Sequence, residues 1–305
     1  MGKMKYTLLK SLVLMATLSG LIFSSSSCNK PPNGGVPIYL HIDSPSVTYN
    51  SYFGGNTFSI PDVWATSGST NLGAYEMPVD IPILASGNVP IAISAGIWSN
   101  GIVSTPAQYP FYAPDTFTIY NAKPGHVYHH HPVYYYYAFT QMAFPGGNFE
   151  GTNPFTNVTV VPVGAGSNPA LGLYSGGIIL PSGVDSVVAV LKTPVPIVTN
   201  GRQAFLEFDY RANNPNVFCD VGINGIITAG SAVTQTGQDD IKVLTAQGAW
   251  VKQYLDCSNW IGTFASGTGN GTDSTATFQV YFSVNHQAGV QDTFFIDNVK
   301  LLYFH

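Results

Sequence analysis

The chain has 305 residues, of which only 9% are charged, and it carries 32 glycines and 21 prolines. Sixteen acidic against eleven basic residues, with no basic cluster in the body of the chain, exclude the electrostatic footprint of a nucleic-acid binder. Few charges, abundant Thr, Val, Tyr and Phe, and turn residues at short intervals predict an all-β extracytoplasmic protein whose length suits two β-sandwich domains.

The chain opens MGKMKYTLLK, with Lys3, Lys5 and Lys10, and an apolar run from Ser11 to Phe23 follows. Basic then hydrophobic residues in this order read as an export signal, and the run is shorter than the roughly 20 residues of a membrane span. It ends in SSSSCN, which places Cys28 just past a set of small residues. This order resembles a bacterial lipoprotein signal of the serine-rich kind found in Bacteroidota, with Ser25 where an aliphatic residue is usual. The resemblance implies a signal peptide over 1–27, lipid attachment at Cys28 and an outer-membrane anchor; an ordinary secretory leader with an incidental cysteine is the alternative. Residues 28–36 are too rich in Pro and Gly to pack and read as a flexible tether. Lys30 is the only charge there, so the membrane face, periplasmic or cell-surface, stays open.

The first module spans 37–145. Its centre, residues 72–102, alternates apolar residues around Gly and Pro, and SGNVPIAISAGI places a Gly-Asn turn between two strands, as in a hairpin. LGAYE (72–76), a Pro-rich strand, GIWSNGI (96–102) and YPFY (109–112) stand in an order that resembles a module of uncharacterised Bacteroidota lipoproteins and the small PEGA-like β-sandwich domains of envelope proteins. That resemblance implies a fold and no activity.

HVYHHHPVYYYY (126–137) closes the module. Val127, His129, His131, Val133, Tyr135 and Tyr137 share one face of a continuous strand, and His126, Tyr128, His130, Tyr134 and Tyr136 the other. Pro132 marks an edge, a bulge or a bend. His129 and His131 at i and i+2 suit an imidazole-binding metal, but no further Cys, Asp or Glu lies between Asp115 and Glu150 to complete a set; an edge strand kept soluble by His and Tyr is the simpler reading. Tyr134 and Tyr136 are expected to pack against the second module.

The second module spans 146–305. Strands are predicted over 170–180, 186–192, 203–213, 216–225, 249–258, 275–285 and 294–304. Leu206, Phe208 and Tyr210 face together, as do Phe278, Val280, Phe282 and Val284. NFEG (148–151), FDYRAN (208–213), WVKQYLD (250–256), FQVYF (278–282) and IDNVKL (296–301) together resemble the galactose-binding-like jelly rolls of carbohydrate-binding modules and MAM-like domains. The resemblance implies a structural calcium held by Glu150 and Asp297, near the two ends of the module; a solvated Glu150 and a turn-bound Asp297 are the alternative. It also implies glycan as a ligand. Tyr210, Arg211 and Trp260 are the sugar-binding candidates, each weighed against burial in the core. Val217, Cys219, Val221 and Ile223 share an apolar strand face, and Cys219 and Cys257 either form a disulfide or remain two buried thiols.

The chain has three glutamates, Glu76, Glu150 and Glu207, and no pair is placed for glycoside hydrolysis. HExxH, GxSxG and a phosphate-binding Gly-rich loop are absent, and Asp239 and Asp240 read as a solvated polar loop. The expectation is a non-enzymatic binding module with no catalytic cofactor. A structural accessory subunit of an outer-membrane barrel complex is the second expectation, since a fold does not settle a function.

Overall fold

A computed structural model describes residues 35–48, 50–53, 57–164, 169–197, 203–212, 214–229, 231–245, 247–266, 274–286 and 290–304. Cys28 lies outside the described residues. The fold is all-β. The N-terminal strands are β1 (Ile38–Ile42), β2 (Ser46–Val47), β3 (Asp62–Ser67), β4 (Thr70–Glu76), β5 (Val79–Ile83), β6 (Gly87–Trp98), β7 (Pro106–Gln108), β8 (Asp115–Ala122), β9 (Val127–His130) and β10 (Val133–Tyr134). Then come β11 (Thr140–Met142), β12 (Thr159–Pro162), β13 (Tyr174–Leu180), β14 (Ser186–Val190), β15 (Val195–Pro196), β16 (Ala204–Ala212), β17 (Phe218–Ala229), β18 (Ala232–Thr245), β19 (Val251–Asp256), the short helix α1 (Ser258–Ser266), β20 (Ser274–Asn285) and β21 (Asp292–Phe304).

In the first sandwich, a sheet ordered β5-β1-β9 faces a second built on β4-β3-β6-β7, with β8 also on β6. The strands exist because apolar residues alternate: Ile38, Leu40 and Ile42 of β1 point inward with Ile81 and Ile83, and meet Val63, Val89, Ile91, Ile93 and Ile119 of the opposite sheet. The expected β5–β6 hairpin is not formed. β5 pairs with β1 while β6 pairs with β3 and β8, so the Ala-Ser-Gly stretch carries the chain from one sheet to the other, and both strands feed the same core from opposite sides.

Residues 127–137 keep their period of two through Pro132, while His126 stands before β9 and is exposed. The even residues from Tyr128 to Tyr136 are buried or half-buried, whereas Val127, His129, His131, Val133 and Tyr135 are exposed. Pro132 separates β9 from β10, and β9 is the edge strand of its sheet, as the proline requires.

The second module is a jelly roll of two antiparallel sheets, ordered β12-β13-β21-β16-β19 and β14-β20-β17-β18, with β11 added to β21 and β15 to β20. Leu206, Phe208 and Tyr210 on one sheet, and Phe278, Val280, Phe282 and Val284 on the other, interdigitate in one core, as their spacing predicts. Val217, Cys219, Val221 and Ile223 join them. A bulge opposite Phe208, with Asn298 at φ 49°, shifts the parity of β21, so that Phe294 and Ile296 before it and Val299 and Leu301 after it all reach this core. The residues around Asp239 and Asp240 are not a loop: they sit within β18, paired along β17. Tyr281 of β20 reaches across Gly222 of β17 and donates a hydrogen bond to Asp240, so this polar stretch is held by the sheet rather than by water alone.

Cys219 and Cys257 are free thiols, and no bridge joins them. The expectation of neighbouring strands fails because Cys219 stands in β17 and Cys257 follows β19, in opposite sheets. Burial pushes both thiols well above the ordinary cysteine range and leaves them unreactive. Titration with a thiol reagent should find both blocked in the native protein and both released only in denaturant.

At the end of the jelly roll, His286 places Nδ1 2.6 Å from Asp292 Oδ2 and Nε2 2.7 Å from the Val184 carbonyl. Both ring nitrogens face acceptors, an arrangement that only the doubly protonated ring satisfies. The Asp292 hydrogen bond raises the His286 pKa above its ordinary value. The stabilisation is therefore complete below the unfolded-state pKa of about 6.5 and is lost as pH rises through the higher folded-state value. Thermal melts of His286→Gln should lie below the parent at about pH 5.5 and converge with it in alkali.

Candidate functional site

The outward face of β16 carries Phe205, Glu207 and Asp209, and the first sandwich covers it. Tyr109, Phe111, Tyr112, Tyr134 and Tyr136 pack there against Phe205, Tyr254 and Leu302. Tyr134 and Tyr136 thus meet the second module, as expected from their alternation. Glu207 is fully buried, with Lys252 Nζ at 3.3 Å and Lys300 Nζ at 3.6 Å from Oε2. Tyr136 donates to both carboxylate oxygens at 3.0 Å, and Tyr109 donates to Oε1. Burial alone would raise the Glu207 pKa, but the two ammonium groups and the two phenols outweigh it, so the carboxyl lies below its usual range. Burial next to Lys252 pushes Lys300 down to about 8. Breaking one member of a buried ion group leaves an uncompensated charge, at a cost of about 3–5 kcal/mol. Calorimetry should show that loss in Glu207→Gln, and recovery of most of it when Lys252→Met and Lys300→Met are added.

Beside this contact opens a cleft of about 400 Å³ between the modules, within the range of small-ligand sites. Trp98, at the end of β6, forms one wall, and Lys242, Thr245 and Gln247 form the other. Lys252, Gln253 and Tyr254 of β19 line the floor. Lys252 is committed to Glu207, and Tyr254 Oη accepts the Ser59 amide at 3.2 Å. Gln253 is 8% exposed, and its Oε1 is buried with no hydrogen-bond partner among the described residues. Gly101, at φ 63°, gives it room: a β-carbon there would collide with the Gln253 amide. The 3-10 turn Ser99–Gly101 is held in place by Asn100 Oδ1, which accepts the Asp256 amide at 2.8 Å. An indole together with amide and ammonium groups along one open space equips the cleft for a hydroxyl-rich ligand.

Of the predicted sugar-binding residues, only Tyr210 touches this cleft, and its ring is core, stacked on Phe294 at 5.6 Å and 3% exposed. Arg211 instead lies over Trp250 and Phe295, at 5.5 and 5.0 Å from the ring centres. Trp260 is on α1, stacked on Phe264 at 4.9 Å, and the two rings occupy space above Gly225 and Gly237, where a β-carbon would collide with them. Tyr210 is core, while Arg211 and Trp260 are half-buried and already packed on neighbouring rings, away from the cleft. Trp98 and Gln253, which sequence reasoning passed over, take their place. The only local signal was the adjacent Lys252 and Gln253 in a strand that is otherwise apolar.

Glu150 and Asp297 act as anchors for the 170–174 loop. Glu150 Oε1 accepts the amides of Leu173 and Tyr174 at 2.6 and 3.0 Å, and Asp297 Oδ2 accepts those of Ala170 and Leu171 at 3.0 and 3.3 Å. Asn298 donates its amide to Asp297 Oδ1 at 2.7 Å. Backbone amides thus engage Glu150 through Oε1 and Asp297 through both oxygens, and calcium would have to compete with these hydrogen bonds. Burial raises Asp297 to about 8 against the pull of these amides. Thermal melts in calcium and in chelator should coincide.

No protein-family model matches the chain, and comparison with curated proteins gives no match. Solved structures are similar to about half of it. One is a family 61 carbohydrate-binding module in complex with β-1,4-galactotriose, at 16% identity and TM-score 0.33, covering 54% of this chain and 99% of that one. A family 11 carbohydrate-binding module from Clostridium thermocellum, in complex with a mixed-linked tetrasaccharide, has 15% identity and TM-score 0.33, covering 53% and 94%. The enzymatically active domain of tailspike protein 4 from bacteriophage CBA120 has 14% identity and TM-score 0.35, covering 54% and 21%.

Proposed function

We propose that this chain is a non-enzymatic, lipid-anchored cell-envelope protein that captures a carbohydrate in the cleft between its two sandwiches. The carrying observation is the cleft itself, where Trp98 of the first sandwich and Lys242, Thr245, Gln247 and Gln253 of the second line one open space. Trp98 offers a flat face for the apolar side of a sugar ring, while Lys242 and Gln247 stand where further hydroxyls would be met. The basic, apolar and small-residue order before Cys28 supports the anchor. Among the described residues no helix is long and apolar enough to cross a membrane.

A glycan array followed by calorimetry on the best sugar tests the cleft. Trp98→Ala and Gln253→Ala should each weaken binding by about tenfold, equivalent to about 1.4 kcal/mol. Full affinity in both variants sinks the reading. Mass spectrometry of the protein from native membranes should find acyl chains on Cys28.

A second reading, docking to an outer-membrane partner as an accessory subunit, draws support from Val127, Val133, Tyr135 and Phe139, which are 44–54% exposed along one stretch. Recovery of a stoichiometric barrel protein with the native lipoprotein, together with a silent glycan array, would favour it.

A further inference from the structure

The outer face of the β5-β1-β9 sheet gathers histidines and carboxylates that are far apart in sequence. β1 is central, and its His41 is register partner to Asp80 of β5 on one side and to His129 of β9 on the other. Asp43 follows two residues along the chain from His41. One ligand atom each from His41, Asp43 and His129 lies within 4.8 Å of the others, and the His41 and His129 ring centres are 4.8 Å apart.

We infer that His41, Asp43 and His129 form a surface binding site for a divalent transition cation of the zinc class, with Asp80 as the positioning residue. The hydrogen-bond pattern is that of a prepared ligand. His41 Nδ1 is 2.7 Å from Asp80 Oδ1, which holds the proton on that nitrogen and turns the Nε2 lone pair away from Asp80. Nε2 then faces Asp43 Oδ1 at 3.2 Å. In the neutral ring that contact sets an electron pair against a carboxylate; a second ring proton relieves it, as at His286, and so does a cation, which competes with that proton for Nε2. A carboxylate that orients a histidine through its far nitrogen is the usual outer support of a histidine-bound metal. Two imidazoles and one carboxylate suit zinc, copper or nickel rather than calcium or magnesium, and leave a fourth position open. With metal–ligand bonds of about 2.0–2.2 Å, the donor atoms must draw together by about 1 Å, which side-chain rotation supplies on an open face.

This site is separate from the sugar cleft and does not depend on it. Zinc titration of the intact protein by calorimetry should show one saturable site. His129→Ala and His41→Ala should each lower the affinity at least fivefold. Asp80→Asn, which removes no ligand, should lower it by about 10–100-fold. His126→Ala, at an exposed histidine outside the cluster, should leave it unchanged. Cobalt loading should give the visible absorption of a low-coordinate site in the parent and lose it in His129→Ala. Circular dichroism and metal-free melts of each variant confirm that the fold is intact. Failure to saturate with zinc, or a loss below fivefold in either histidine variant with the fold intact, overturns the inference.

Discussion

The Glu207 carboxylate, buried between two lysines and two tyrosines, is the interaction on which the arrangement of the two modules depends. Its strand, β16, has no solvent face: Leu206 and Phe208 enter the jelly-roll core, while Phe205 and Glu207 enter the contact with the first sandwich. Ionic groups contribute little net stability when buried. They do impose a geometry, because Lys252 and Lys300 on flanking strands and Tyr109 and Tyr136 on the other module must all arrive together. Apolar packing around them, chiefly Phe111, Phe205 and Leu302, supplies the attraction that this polar group alone would not.

The cleft follows from that contact. Trp98 and the Ser99–Gly101 turn belong to the first module, while the β18 and β19 residues opposite belong to the second, so neither module makes the cleft by itself. Gln253 sits at the join. Its amide fits because Gly101 lacks a side chain, and its buried oxygen lies against that glycine with no donor among the described residues.

Periodicity made the fold class, the two cores and the inter-module tyrosines legible in the sequence. Leu206, Phe208 and Tyr210 alternate as a half-buried strand does, and the period of two from Tyr128 to Tyr136 survives the proline between them. What periodicity cannot express is pairing across the chain. A Gly-Asn step reads as a hairpin whether the two strands stay in one sheet or cross to another, and the polar β18 carries no alternation because its order is lent by β17. The surroundings of the candidate site residues were hidden for a related reason: Trp250 and Phe295, on which Arg211 packs, and Phe264, on which Trp260 stacks, come from positions that alternation does not link to them. The neighbours of His129 were hidden for the same reason, since His41 and Asp43 lie more than eighty residues upstream.

The unbroken two-residue beat through Pro132 constrains how this protein can change. Tyr134 and Tyr136 reach the inter-module contact only while the exposed histidines of the same stretch stay on the opposite side. Deleting one residue there would exchange the two sets, driving imidazoles into an apolar seam and turning phenol rings out to water. Length variation in this stretch is therefore tolerable in steps of two, a parity rule that descendants of this chain would be expected to keep even where the residues themselves drift.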